Sequence, residues 1–335
     1  MKIWAHMQRL WPRFTLLPAA PFWLWAAFWI ARGQLRWDHI AIAILVTVLA
    51  YTNATTRRLF IGLVPVALVG LFYDAMRFVR NVGLSESTVH LCDLRDAEVR
   101  WFGINVAGAR VTLHDWLQAH ATLWLDVIAA VPYGTFLWVV VAYAIFLFVH
   151  DFPALQRFTW AFLTLNVVGF LTYHVYPAAP PWYYHMHGCT VDLAAKASAG
   201  PNLLRVDALV GIPYFAGFYG RSSDVFGAVP SLHVAYPLLM VIEGWRLHRA
   251  LGRTLLVGFF LWMCGAAVYL DHHWVIDIVA GWVYLRDMQD YQAMNKIYSE
   301  YYSRGPGVRT CLMPNSAYEK NAIRVRGSFI AARTR

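Results

Sequence analysis

The chain has 335 residues, 59% hydrophobic and 14% charged, with a formal net charge of +9 and a mean hydropathy of +0.45. Soluble domains carry about 25% charged residues, so this composition excludes a soluble globular protein and places the chain in a membrane. The 16 tryptophans agree, because indole rings favour the headgroup region.

Crossing the hydrocarbon takes about 20 apolar residues. In chain order, candidate spans lie near 14–31, 37–52, 59–78, 127–149, 158–176, 231–246, 254–271 and 273–290. These predict an all-α, polytopic helical bundle of about eight spans. No short apolar region with a small-residue cleavage site precedes the first, which therefore reads as an anchor. The second and sixth are short, and the eighth loses its apolar character after Leu285. Two long connections, 80–126 and 177–230, are rich in Gly, Pro and charge.

Basic residues orient the bundle. Lys2, Arg9 and Arg13, then Arg57 and Arg58, then Arg246, Arg249 and Arg253 fall on one side if the spans alternate, which puts the N-terminus inside. Arg32 and Arg36 argue the other way. In this topology both long connections and the starts of the sixth and eighth spans face outside. Cys92 and Cys189 lie in the two outer connections, where a disulfide is allowed and its formation stays open.

Two stretches carry chemistry. In GAVPSLHVAYP (227–237), a helix start would place Pro230 in its first turn with Ser231 and His233 beside it. Unpaired amides there make an anion site with an imidazole alongside, although an ordinary helix start reads the same way. In YLDHHWVIDIVAGW (269–282), His273 and Asp277 are four apart, so on a helix they share a face and can hydrogen-bond. A carboxylate on one imidazole nitrogen fixes the tautomer and aims the other outward. A buried pair that merely joins two helices is the competing reading. Ionisable residues within a span default to function. His272 is expected about 100° away on a helix. His185 and His187 lie two apart in a loop without a third ligand at a recognisable spacing, so no metal is expected.

PSLH followed by HxxxD resembles the type-2 phosphatidic acid phosphatase superfamily, and more closely its inositol phosphorylceramide synthase-like branch. YPAAPPWYY (176–184) and LLRVDALVGIPYF (203–215) leading into FGAVPSLH resemble stretches of that branch. The resemblance covers about residues 120–285. It implies that His273 attacks phosphorus, that Asp277 orients it, and that His233 serves as general acid and then base. Ser231 and nearby amides would hold phosphoryl oxygens, with no metal and no cofactor. The superfamily's KxxxxxxRP motif is missing, and Ala266-Ala267 stands where a serine-arginine pair is usual. That thin cation supply favours a singly charged phosphodiester over a monoester dianion. Arg221 is the first candidate for added charge, ahead of Arg205 and Lys196. Without the resemblance, Pro with Trp182, Tyr183 and Tyr184 reads equally as an interfacial anchor.

The expected organisation is 1–120 as N-terminal helices and outer loop, 121–290 as catalytic core, and 291–335 as a basic tail. The stretch 286–335 holds nine Lys or Arg and four Asp or Glu, so the basic excess is largely a tail property and does not imply nucleic-acid binding. Residues 290–314 weakly resemble the end of a reactive-intermediate deaminase (Rid) protein, with Arg309 at its carboxylate-binding position. A fused or shifted reading frame explains so short a match. The expected function is a membrane phosphotransferase moving a phospho-head-group, such as phosphoinositol, from a glycerophospholipid to a lipid hydroxyl such as ceramide. The membrane would be the plasma (inner) membrane or an endomembrane, with the site on its extracytoplasmic or lumenal face. A lipid phosphatase using the same histidines and a non-catalytic transporter or flippase are the alternatives. Protein partners, donor, acceptor and oligomeric state are not legible.

Overall fold

The structure, a computed structural model, describes residues 2–222, 224–279, 283–284 and 311–312. The chain forms a compact unit Met1–Ile278 and a second unit Val279–Arg335. In the second, Val283–Tyr284 (β3) pairs in parallel with Cys311–Leu312 (β4). The expected end of the eighth span, Arg309 and the Rid-like tail otherwise lie outside the described residues.

In the first unit, helix α1 (Lys2–Leu10) precedes a turn-rich stretch containing Pro12 and Pro18. The first apolar helix, α2 (Ala20–Ala31), therefore starts later than the expected span. Next come α3 (Trp37–Tyr51) and α4 (Ala54–Val79), which Asn53 caps by accepting from Thr56 N at 3.0 Å. The connection to the following span carries α5 (Cys92–Phe102), a hairpin of β1 (Ile104–Val106) and β2 (Ala109–Val111), and α6 (Leu113–Ala119). Helices α7 (Leu123–His150) and α8 (Phe152–Val175) are divided at Asp151, whose carboxylate caps α8 through Ala154 N at 2.9 Å. The second long connection holds α9 (Pro181–His187), α10 (Gly200–Val210) and α11 (Tyr214–Tyr219). Then follow α12 (Leu232–Gly244), α13 (Ala250–Tyr269) and α14 (Val275–Val279).

Among the described residues, the four helices α4, α7, α8 and α13 are long and apolar enough to cross a membrane. Helices α2, α3 and α12 have only 12, 15 and 13 residues. At 1.5 Å per residue they reach about 18–23 Å, short of a core about 30 Å thick. The expected count of about eight full spans thus resolves into four long helices, three shorter apolar ones and a last segment half of which lies outside the described residues. The chain is a multi-pass membrane protein, and its outward side chains agree. On α7, Tyr133, Phe136, Val140, Ala144 and Leu147 recur at helical spacing and are buried. Trp138 and Val149 on the other face are 69% exposed, as lipid-facing residues should be.

The contacts bring one end of the bundle together. Gly169 on α8 meets the Leu232 side chain and lets the start of α12 approach closely, because a Cβ there would lie 2.9 Å from Leu232 Cδ2. The loop ends of α8, α12 and α13 meet the two long connections, and Cys92 is disulfide-bonded to Cys189 with a Cα–Cα separation of 5.7 Å. The sequence separation is 97, and in the chain-entropy account closing a loop of that size is worth about 4.7 kcal/mol. At the other end lie the basic turns, where Arg58 sits over the Phe152 ring at 4.5 Å and Arg253 over Trp245 at 5.0 Å. Arg36, which opposed the charge rule, is neutralised locally. Its guanidinium pairs with Asp38 at 2.8 Å and Asp74 at 2.9 Å.

Candidate active site

Helix α12 opens one residue later than expected. Ser231 is its N-cap, accepting from Val234 N at 3.3 Å, and Pro230 lies outside the first turn. His233 is consequently the second helical residue. Its ring stacks on Tyr133 at 4.7 Å and meets the Phe136 edge at 4.9 Å.

His273 departs from the helical expectation. Helix α13 ends at Tyr269 and the chain turns through Asp271, whose φ of 67° lies in the left-handed region. Aspartate is among the few residues that tolerate it. Ala267 O then accepts from both His272 N (3.2 Å) and His273 N (3.1 Å), and α14 begins only at Val275. His273 therefore sits in the turn rather than on a face shared with Asp277. Asp277 Oδ2 accepts from Trp274 N at 2.9 Å and lies 3.6 Å from His273 Nδ1, too far for a hydrogen bond. The partner that fixes the ring is a backbone carbonyl. His273 Nδ1 donates to Ala228 O at 2.9 Å.

The two imidazoles meet, with His233 Nδ1 3.2 Å from His273 Nε2. A carbonyl can only accept, so for neutral rings every proton follows. His273 carries its proton on Nδ1 and presents the Nε2 lone pair. His233 then donates from Nδ1, and its Nε2 accepts from the Tyr219 hydroxyl at 3.1 Å. The chain Tyr219–His233–His273–Ala228 runs in one direction. It leaves a nucleophilic nitrogen facing an N–H donor.

The other expected residues are placed as follows. Ser231 is 2% exposed at the head of the helix carrying His233. Arg221 is exposed in the loop after α11 and, among the described residues, makes no hydrogen bond or ion pair; the structure does not bring it to the imidazoles. Arg205 is taken up by the buried Asp126, at 2.7 and 3.1 Å. His272 is buried and donates to Ala199 O at 2.8 Å.

The YPAAPPW stretch is a scaffold rather than an interfacial turn. Ala178 N donates to Phe226 O at 2.6 Å and Ala228 N to Ala178 O at 3.0 Å, which brackets the carbonyl that holds His273. Trp182 N donates to Asp271 O at 2.9 Å, and Trp274 Nε1 to Ala179 O at 2.8 Å. Trp182 and Tyr183 are buried in protein.

Sequence reasoning missed a polar belt below this turn. Glu98 of α5 is fully buried and accepts from Val275 N at 3.0 Å and Ile276 N at 3.1 Å, capping α14. Burial pushes its carboxyl above the usual carboxylate range, despite these amides and the nearby His114. His114 Nδ1 lies 3.1 Å from Asp271 Oδ1. His185 bridges Asp271 (2.5 Å) and Asp115 (3.1 Å). Burial alone would lower the His185 pKa, but its bonds to Asp115 and Asp271 hold it up at about 9. Burial likewise opposes Asp115 and Asp271, whose histidine partners nonetheless keep both below the usual range.

A histidine raised on folding adds stability that is fully present below its unfolded value, about 6.5, and is lost as pH climbs through its folded one. The melting temperature in detergent should therefore fall between pH 6.5 and 9. His185→Gln should lower it at pH 6.5 and flatten that slope, and an unchanged slope in the variant would assign the titration elsewhere.

Comparison with known proteins agrees with the geometry. The PAP2 superfamily model matches residues 100–286. The chain is 32% identical over 254 residues to the phosphoinositol dihydroceramide synthase of Bacteroides thetaiotaomicron, covering 74% of this chain and 81% of that one. It is 28% identical to the inositol phosphorylceramide synthase catalytic subunit of Schizosaccharomyces pombe, over 73% of this chain and 56% of that one. The corresponding Saccharomyces cerevisiae subunit is 33% identical over 50% of this chain, which spans 42% of it. No solved structure matches. The chain belongs to the PAP2 superfamily, in its inositol phosphorylceramide synthase-like branch.

Proposed function

We propose that the protein transfers phosphoinositol from a glycerophospholipid to the hydroxyl of a ceramide-class lipid. The observation that carries this reading is the 3.2 Å approach of His233 Nδ1 to His273 Nε2, with both tautomers held. A phosphodiester entering between the rings meets the Nε2 lone pair on one side and an N–H on the other. On meeting the anionic donor, His233 takes up a solvent proton at Nε2, where the Tyr219 hydroxyl oxygen can accept it. The Nε2–P bond at His273 forms as the P–O bond to diacylglycerol breaks. The His233 imidazolium passes its Nδ1 proton to the departing alkoxide, which leaves that ring neutral. The acceptor hydroxyl then loses its proton to His233 Nδ1 as its oxygen displaces the imidazole. Once the Nε2 proton goes back to solvent, both histidines are in their starting forms.

Asp277, 3.6 Å from His273, stabilises the ring when it turns cationic. The amides of Leu232 and His233 have no helix carbonyl to bond, and with the Ser231 hydroxyl they can hold phosphoryl oxygens. Arg221 approaches the phosphate only if its loop moves. A singly charged diester suits a site whose neighbouring Arg205 is committed to Asp126. The positive-inside rule puts this end of the bundle on the extracytoplasmic or lumenal face. Within the organisation expected above, residues 121–290 supply the reacting groups and 291–335 none. The relatives named for inositol phosphorylceramide synthesis support the choice of substrates.

The test is incubation of purified protein with head-group-labelled phosphatidylinositol, with and without ceramide. Labelled ceramide phosphoinositol that forms only with ceramide is expected. Release of water-soluble inositol phosphate at the same rate in both arms would make the protein a hydrolase.

A further inference from the structure

A cleft of about 350 Å³ opens among the loops at the site's end of the bundle. Asn81, Lys196, Ser222 and Asp224 line it together with Arg80 and apolar side chains such as Phe226. Its volume falls in the range of about 300–1,000 Å³ usual for small-molecule sites. Two of its walls run directly into the catalytic groups. Gly220 follows Tyr219, whose hydroxyl bonds His233, and Phe226 is two residues from Ala228, whose carbonyl holds His273. Two extended residues span at most about 7 Å, so the cleft lies beside the segments that seat the reacting imidazoles, while neither ring itself lines it.

Its polar groups are held in place. Ser222 Oγ accepts from the Tyr73 hydroxyl at 3.2 Å and donates to Asp224 O at 3.0 Å. Asp224 Oδ1 accepts from Phe226 N at 2.9 Å, which fixes the carboxylate before any ligand arrives. A carboxylate, a carboxamide and a hydroxyl beside cationic side chains suit a ring of hydroxyls carrying one phosphate charge. They do not suit acyl chains.

Resting on the function proposed above, we infer that this cleft is the donor head-group subsite. Asp224 and Asn81 read the hydroxyls of the polyol, and Lys196 lies toward its phosphate. The cleft thereby selects a polyhydroxylated head group over a smaller alcohol.

The test uses Asp224→Asn, which keeps an oxygen for Phe226 N but removes the charge, together with Asn81→Ala. Steady-state kinetics would be measured for phosphatidylinositol at saturating ceramide, for ceramide at saturating donor, and for transfer from phosphatidylglycerol. Hydrogen bonds to a charged group are worth about 10- to 100-fold. That rise in donor KM is expected for Asp224→Asn, with the ceramide KM unchanged and the preference for phosphatidylinositol reduced in both variants. Unaltered donor KM and preference in both variants, while the wild type transfers normally, would overturn the subsite alone. A rise in ceramide KM instead would overturn it by assigning the cleft to the acceptor. Absence of transfer by the wild type would overturn the function, and the subsite with it.

Discussion

Replacing His273 with Asn is expected to abolish lipid turnover while leaving the protein folded. An asparagine Nδ2 can take the place of the imidazole Nδ1 and donate to Ala228 O, the bond that seats the ring at 2.9 Å. What the variant loses is the Nε2 lone pair, for which the site has no substitute. The same exchange at His233 keeps a donor near Nδ1 but provides no group able to take a proton back from the acceptor. It should cost at least the roughly 10²–10⁴-fold of general acid–base catalysis. The two losses should not multiply in the double variant, because both residues serve the same two steps. Initial rates of labelled head-group transfer, read beside melting temperatures, check this. A folded His273→Asn variant with near-normal turnover would remove His273 from the chemistry.

The second large effect concerns Glu98, a residue outside the expected catalytic core. Glu98→Ala strips the caps from Val275 N and Ile276 N, two part-buried amides whose partner carboxylate is itself fully buried. Leaving a buried donor unpaired costs about 1–3 kcal/mol each, a large share of a total stability of about 5–15 kcal/mol. The His273 turn leads directly into these two amides, so its position should loosen as well. A misplacement of about 1 Å can cost about 10²-fold. The expected outcome is a markedly lower melting temperature and, below it, a kcat reduced about 10²-fold with both KM values within twofold of wild type. Glu98→Gln retains one acceptor oxygen and should recover part of both losses. Wild-type kcat in a stable Glu98→Ala protein would show that the α14 cap does not position the nucleophile.

The apolar runs announced most helices because burial in lipid and in the bundle leaves a compositional mark. Length was less legible. Pro12 and Pro18 delay α2, and Asp151 with Pro153 divides α7 from α8 within two residues. His233 and His273 could be read from their motifs, but the geometry between His273 and Asp277 could not. A spacing of four implies a shared helical face only if the segment is helical, and the left-handed Asp271 keeps His273 in a turn. The carbonyl of Ala228 was invisible for another reason. Backbone acceptors are the same at every residue, so the pairing of 226–228 with Ala178 leaves no side-chain signature. Glu98 lies 177 residues before its partner Val275 on a helix otherwise unremarkable in pattern, and Tyr219 is one aromatic among many. Arg205 was legible as a cation but not as one already neutralised, since Asp126 is 79 residues away.

The most direct test of two successive displacements at His273 is the stereochemical course at phosphorus. A phosphatidylinositol phosphorothioate of one defined configuration would be converted to the ceramide product, and the product's configuration assigned by phosphorus NMR. Each in-line displacement inverts the centre, so passage through a phosphohistidine predicts overall retention. Inversion would mean that the acceptor hydroxyl attacks the donor directly, and would contradict a covalent role for His273.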